Sequence, residues 1–561
     1  MPHRPTIRPT TVTALAALLA AGMATLPACR TGGPNALARA ETIYEETRFL
    51  KDQIDLTQSR GAESSRRGET LPALVERFGA ARGRLAKALA AVNPASLLSE
   101  EERRALIVMR RALDGELEAE DDPGAPDPQA KPDCAYDPDG LAAEPGGFER
   151  LSERVYACFG EAAGRLTFED QTLDRLTVFS LLPLTPDPDA RRRLFLALRP
   201  VWESVDGRDP ATSPYRRLVR LSAAGMRAEG KTIEGQVADL GIDPAVIEAW
   251  LVSVLEAWRD TLPPQPIEPW DHAWHAGAAS RALSPAIPLD RMRPINDLVY
   301  RDLGADPAAL GVQYDLEPRD GKDPVAFCNF GVRQRRENGA WLPGEPWVFA
   351  SYGVGGLDNL AELLHETGHA IHIAAIRTRP AFLDWPDSNS FTEGIADIAM
   401  LEMYEPEWQA KYLGTSVAVA DALRAKYAAI VMDIAWSLFE IRMHRDPSLD
   451  PNQVWTDLTR TYMKIRPHPE LSWWAVRGQL IGSPGYMLNY AAGAIVIADL
   501  RARTRELRGP YAAGDPGWYA WVSERLYRFG LERPTRDVIQ DFLGRPPSPQ
   551  AILDDLARAG K

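Results

Sequence analysis

The stretch LLHETGHAIH, residues 363–372, places His365, Glu366 and His369 in the spacing H-E-x-x-H. Asp358 stands ahead of it as an expected helix cap and Pro380 lies beyond it, so the stretch reads as one helix. Side chains four apart on a helix share a face, so His365 and His369 project together. Two imidazoles so placed can hold one Zn²⁺ at about 2.0–2.1 Å each. Glu366 is turned about 100° from His365, which suits a base for an attacking water better than a ligand. Gly368 is expected to leave room beside the metal. The chain has eight histidines, and a chance match to this spacing is on the order of one in a hundred.

A catalytic zinc needs a third protein ligand. Downstream, SNSFTEGIADIAM spans residues 388–400. Glu393 is expected to open an apolar-periodic helix there and to supply that ligand. Asp397, four residues on, shares its face and can accept the free ring N–H of a zinc histidine, which fixes the tautomer. A longer pattern with a third histidine is excluded, because His372 stands where it needs glycine and Ala375 where it needs histidine. A structural zinc has four protein ligands as a rule, and only three are visible here.

The 561 residues are 45% hydrophobic and 25% charged, enough for a large core, and the net charge is -14 without a basic block. Phosphate binding needs clustered Lys and Arg, so a nucleic-acid partner is not expected. Arg4 and Arg8 precede the apolar run TVTALAALLAAGMATL, followed by Pro27, Ala28 and Cys29. Residues 1–28 therefore read as a secretory signal. LPAC, residues 26–29, resembles a bacterial lipobox. Export with lipid at Cys29, facing the periplasm, is the expectation, with plain secretion as the alternative. An exported chain permits disulfides. Cys134 and Cys158 flank a loop-like stretch and can pair; Cys328 is expected as a small buried apolar residue.

Helical periodicity covers 37–60, 70–92, 98–119, 148–182, 187–206, 211–229 and 243–262. Residues 119–147 read as a surface excursion. EAWRDTLPPQPIEPW, residues 256–270, holds four prolines and is taken as a hinge. It separates an N-terminal helical region, 29–262, from a catalytic region, 263–561. VAFCNFGV and PWVFASYGV read as strands. Helices follow over 356–377, 391–404, 416–444, 451–464 and 487–507. The fold class is mainly α, with one small β-sheet beside the zinc helix.

HETGHAIH followed by FTEGIAD resembles the gluzincins, zinc peptidases with two histidines and a downstream glutamate. HETGHAIH, including His372, is similar to the thimet oligopeptidase and oligopeptidase F family. FTEGIADIAML resembles both that family and angiotensin-converting enzyme. PWDHAWHA (269–276), RDGKDPVAFCNFG (319–331) and SYGVGGLDNLAELLHE favour the first group, and the resemblance spans roughly 265–500. FTEGIAD departs from the Pro-Ser that many thimet-type enzymes carry shortly after the glutamate. The resemblance implies a helical ellipsoid, two helical halves around a deep channel with one zinc at its floor, admitting short peptides. It also implies a sheet edge that pairs with an extended substrate. Here that edge is VFASYGV, residues 348–354, with an ordinary core strand as the equal alternative.

GSPGYMLNYAAGA, residues 482–494, is similar to the Tyr-x-x-x-Tyr-Ala-x-Gly segment of oligopeptidase F relatives. It offers Tyr490 as oxyanion donor with Tyr486 behind it. His468 is a further donor candidate by similarity to the converting-enzyme group. Arg477 is expected at the surface, with a peptide carboxylate as its other use, and His272 and His275 as structural. The expected function is zinc-dependent hydrolysis of short peptides in the bacterial cell envelope. A converting-enzyme-like dipeptidyl carboxypeptidase and a non-catalytic exported peptide-binding lipoprotein are the alternatives.

Overall fold

The computed structural model describes residues 34–60, 69–115, 117, 132–319, 322, 325–337 and 339–560. The expected signal segment and Cys29 lie outside them, as does part of the 119–147 excursion. Helices dominate, and the strands are short. No helix among the described residues is long and apolar enough to cross a membrane.

Three N-terminal helices, Pro34–Arg60, Leu71–Ala91 and Glu100–Asp114, share a small core of Tyr44, Leu50, Phe78, Leu85 and Met109. Ser99 and Glu102 start the third with a reciprocal capping box, satisfying two otherwise unpaired backbone N–H groups. This unit docks on the rest of the chain through Ala381 and Phe382, which belong to its core. A second, much larger core runs from Leu151 to Ala559. Trp258, within the four-proline stretch, is buried in it beside Leu255, and the same core holds Ala279 and Leu283 beyond residue 262. Cys134 and Cys158 form a disulfide. Cys328 is free and half-buried.

The small sheet decides between the two readings of 348–354, in favour of the core strand. Its order is Gln313–Asp315, Glu345–Phe349, Phe327–Val332, the first pair parallel and the second antiparallel. The strand at 313–315 lacks the apolar run that marks the other two. Glu345–Phe349 is central, and Ala350 and Tyr352 extend its pairing to Asp315 and Leu316. The stretch expected to offer a free edge therefore begins inside a doubly paired strand. Two further two-stranded hairpins, at 166–173 and 335–342, accompany it. Strand alternation sends side chains to both faces. Phe327, Trp347 and Phe349 meet Leu56 of the first helix, while Cys328 and Phe330 meet Ile373.

Ile373 belongs to the motif helix, Leu357–Ala375. Asp358 does not cap it. The chain enters at Gly356, whose φ of 122° lies outside ordinary L-residue space. Its first N–H groups go to Ile287 O and Ser284 Oγ, while Asp358 accepts from Ser280. The next helix, Asn389–Met400, is capped by Ser388, whose hydroxyl accepts from Phe391 N–H. It starts one turn before Glu393. Gly368 is also reassigned. A Cβ there would lie 2.4 Å from Ala396 O, so the missing side chain admits the backbone of the Glu393 helix. Gly394 and Gly493 repeat the device against helix Tyr486–Arg508: their added Cβ atoms would meet Ile497 Cγ1 at 2.5 Å and Ser390 O at 2.8 Å.

Gly368→Ala forces two helix backbones apart, at a cost of about 1–3 kcal/mol or more. Its thermal midpoint and metal content are expected to fall together. Gly79→Ala, where an added Cβ meets nothing within 4 Å, is expected to hold or raise stability by about 0.4–1 kcal/mol. Equal midpoints for the two variants would contradict the close-approach argument.

Candidate metal centre and active site

The two helices joined at Gly368 bring His365, His369 and Glu393 together. One ligand atom from each lies within 4.8 Å of the others. His365 Nε2 is 3.1 Å from His369 Nε2 and 3.8 Å from Glu393 Oε2. Bonds of 2.0–2.1 Å in a tetrahedron set neighbouring ligand atoms about 3.3 Å apart. The two edges at His365 bracket that distance, and the nitrogen and oxygen donors suit zinc.

Asp397 Oδ1 lies 2.7 Å from His365 Nδ1. This contact places the ring proton on Nδ1 and turns the Nε2 lone pair towards the triangle. Burial works to lower the His365 pKa, but the Asp397 carboxylate outweighs it and the pKa rises, so Asp397 makes this ring the more basic donor. His369 is orientated differently. Its Nδ1 is buried without a hydrogen bond, and packing holds the ring between His365, at 4.7 Å, and Trp385, at 5.6 Å edge-on. Burial keeps its pKa low and the ring neutral, as a ligand must be.

Glu366 is 6% exposed, and its Oε2 has no hydrogen-bond partner. Burial pushes its pKa up to about 8; His365 opposes this, and the Glu393, Glu362 and Asp397 carboxylates add to it. A carboxyl so placed can both take and return a proton near neutral pH.

The back of the motif helix is braced. The Tyr300 and Tyr519 hydroxyls donate to Leu364 O and Ile371 O. Tyr314 hydroxyl pairs with Thr367 at 3.1 Å and accepts from Asn296. Trp385 also meets Phe330 edge-on and lies tilted beside His372, so it walls the site. Neither Trp385 nor Tyr352, whose pKa burial and the nearby Glu362 and Glu366 raise, was among the sequence candidates. The signal available was position alone: one stands just before the Glu393 helix, the other just before the motif helix.

Tyr486 and Tyr490 lie half-buried on helix Tyr486–Arg508, ring centroids 5.3 Å apart. That helix packs on the Glu393 helix at Gly394 and Gly493, and Ser390 Oγ donates to Asn489 Oδ1 at 3.0 Å. His468 sits among different residues. Its nitrogens meet Glu470 at 2.7 Å and Glu268 at 2.8 Å, and its ring lies beside Trp270. Arg477 is half-buried, not at the surface: it donates to Asp433 and lies 4.6 Å over Trp436. His272 is half-buried, and burial lowers its pKa to about 4; His275 is exposed.

No protein-family profile matches the chain, and no curated protein matches it. Solved structures do. The M32 carboxypeptidase from Deinococcus radiodurans R1 aligns over 93% of this chain and 97% of its own, with a TM-score of 0.53 and 15% identity. A structure described as CHT aligns over 94% of this chain and 99% of its own, with a TM-score of 0.53 and 14% identity. At such identity the likeness is one of fold, and it covers nearly the whole chain.

Asp397→Asn removes the carboxylate that fixes His365. It is expected to weaken zinc retention about 10- to 100-fold, read by competition with a chromophoric chelator. Unchanged competition would remove Asp397 from the site.

Proposed function

We propose that this chain is a zinc-dependent peptidase acting on short peptides. The observation that carries the reading is the triangle of His365, His369 and Glu393 with the buried Glu366 beside it. When bound, zinc supplies a Lewis acid that polarises a carbonyl and lowers the pKa of water towards ~7. Glu366 takes a proton from the attacking water as its oxygen bonds to the peptide carbonyl carbon. Glu366 then delivers that proton to the amine nitrogen as the C–N bond breaks. Tyr490 is the proposed donor to the oxyanion, with Tyr486 behind it, on a helix fixed to the Glu393 helix. His468 is the weaker candidate, since its nitrogens are engaged by two carboxylates.

The finer class has two supports that differ. The zinc motifs resemble the thimet oligopeptidase and oligopeptidase F family, which favours internal cleavage of short peptides. The fold resembles that of an M32 carboxypeptidase, which favours removal of residues from the C-terminus. We keep oligopeptidase as the first reading. Mass spectrometry of a peptide library separates them: internal fragments support it, and ladders shortened only from the C-terminus replace it. Glu366→Gln is expected to keep zinc and lose roughly 100- to 10,000-fold in rate; wild-type turnover in that variant would remove the assigned base. Tyr490→Phe is expected to cost roughly 100- to 1000-fold in kcat with little change in KM, and Tyr486→Phe less. Near-wild-type rates in both, with a large loss for His468→Ala, would move the role to His468.

Location in the bacterial envelope is part of the proposal, supported by the LPAC stretch. Labelled fatty acid is expected to enter the wild type and not Cys29→Ser. Equal labelling would leave plain secretion.

A further inference from the structure

The face of the motif helix that carries His365 and His369 continues beyond them. Positions 362, 365, 366 and 369 form one i, i+3, i+4, i+7 stripe, so Glu362 lies about one turn, roughly 6 Å, before Glu366. Exposure rises along the stripe. His369 and Glu366 are buried, His365 is half-buried and Glu362 is exposed, so the stripe reaches solvent at Glu362.

The other carboxylates near this helix are engaged. Asp397 is on His365, Asp358 accepts from Ser280, and Glu402 accepts from Arg501 at 2.7 Å. Glu362 has no Lys or Arg partner among the described residues; the groups that face it are the Tyr352 hydroxyl and His365. Tyr352 is 6% exposed; its buried hydroxyl is turned towards Glu362 without a well-formed hydrogen bond, and Glu366 is nearby. An open carboxylate without a counter-ion, a second carboxylate one turn deeper and a buried hydroxyl thus converge at the mouth of the site. An arriving cation would relieve the repulsion between the two carboxylates and donate a charge-assisted hydrogen bond to Glu362.

Resting on the peptidase reading above, we propose that Glu362, with Tyr352, forms a subsite for a cationic group of the peptide, an ammonium or guanidinium. The substrate class is then a short peptide with positive charge close to the scissile bond. That charge comes either from a Lys or Arg side chain or from the peptide's own amino terminus.

The test uses alanine-based pentapeptides with Lys or norleucine at each position in turn, and with free or acetylated amino termini. Norleucine keeps the lysine stem without its charge. Two quantities are read on the zinc-loaded protein: kcat/KM in the wild type, and Kd by calorimetry in Glu366→Gln, which needs no cleavage. A preference for the cationic peptide of about 10-fold or more is expected in both. Adding Glu362→Gln is expected to bring the ratio to within about twofold of one. Lys over norleucine assigns a side chain; free over acetylated assigns the terminal ammonium. A preference that survives Glu362→Gln, or none in the wild type while peptides are cleaved, overturns the subsite and leaves the peptidase. A Glu362-dependent binding preference without any cleavage keeps the subsite and overturns the peptidase. Neither binding nor cleavage overturns both.

Discussion

Gly368 and Ala396 bring two helices to backbone contact, and the metal-binding triangle depends on that distance. His365 and His369 come from one helix and Glu393 from the other. A carboxylate side chain is short, so the third ligand reaches the imidazoles only if the helix axes are unusually close. A side chain at Gly368 would hold them apart, since its first carbon already lies 2.4 Å from Ala396 O. Glycine in a helix interior costs about 0.8–1.0 kcal/mol against alanine, and the close crossing offsets it. The same contact leaves Asp397, next to Ala396, opposite His365 Nδ1. One missing side chain thus sets both a ligand distance and a ring tautomer.

A buried charge pair fixes the far end of the Glu393 helix. Glu402 lies just beyond that helix and accepts from Arg501 and Arg505 at 2.7 and 2.8 Å. Burial alone would raise the Glu402 pKa, but the two guanidinium groups hold it below the ordinary carboxylate range. Removing either partner of such a pair strands a charge in the core, which is why buried pairs, once formed, are hard to vary singly. Helix Tyr486–Arg508, which carries both arginines, is thereby tied to the Glu393 helix at two heights: by glycines near Tyr490, and by charge near Arg501.

What the sequence made legible is what periodicity encodes. The shared face of His365 and His369, the placement of Glu393 and Asp397 one helix later, and the helical character of the chain all follow from i, i+4 spacing and apolar period. What it hid depends on which elements meet. Gly368 read as space for a metal because its neighbour, Ala396, is 28 positions away. Asp358 read as a cap because the true partners, Ser284 and Ile287, belong to a distant turn. The 348–354 stretch could not be assigned to edge or centre, since that depends on a three-residue strand, Gln313–Asp315, with no apolar alternation of its own. Trp385 and Tyr352 reach the site from loops, where position in the chain says little about direction.

The N-terminal helices explain why the site draws on far more of the chain than its motifs do. Helix Pro34–Arg60 covers one face of the small sheet, and the motif helix lies against the other. Arg333 pairs with Asp52 at 2.6 Å, Arg379 with Glu41 at 2.7 Å, and Arg48 with Asp384, next to Trp385. These contacts place the wall that orients His369, a ring whose Nδ1 has no hydrogen bond to orient it. The demands on sequence remain few: glycines where backbones touch, one polar stripe, and a handful of paired charges. Elsewhere the core asks only for apolar side chains of compatible volume, which cores tolerate exchanging. A fold held by so few specified positions can persist at 14–15% identity across nearly the whole chain while no protein-family profile matches it.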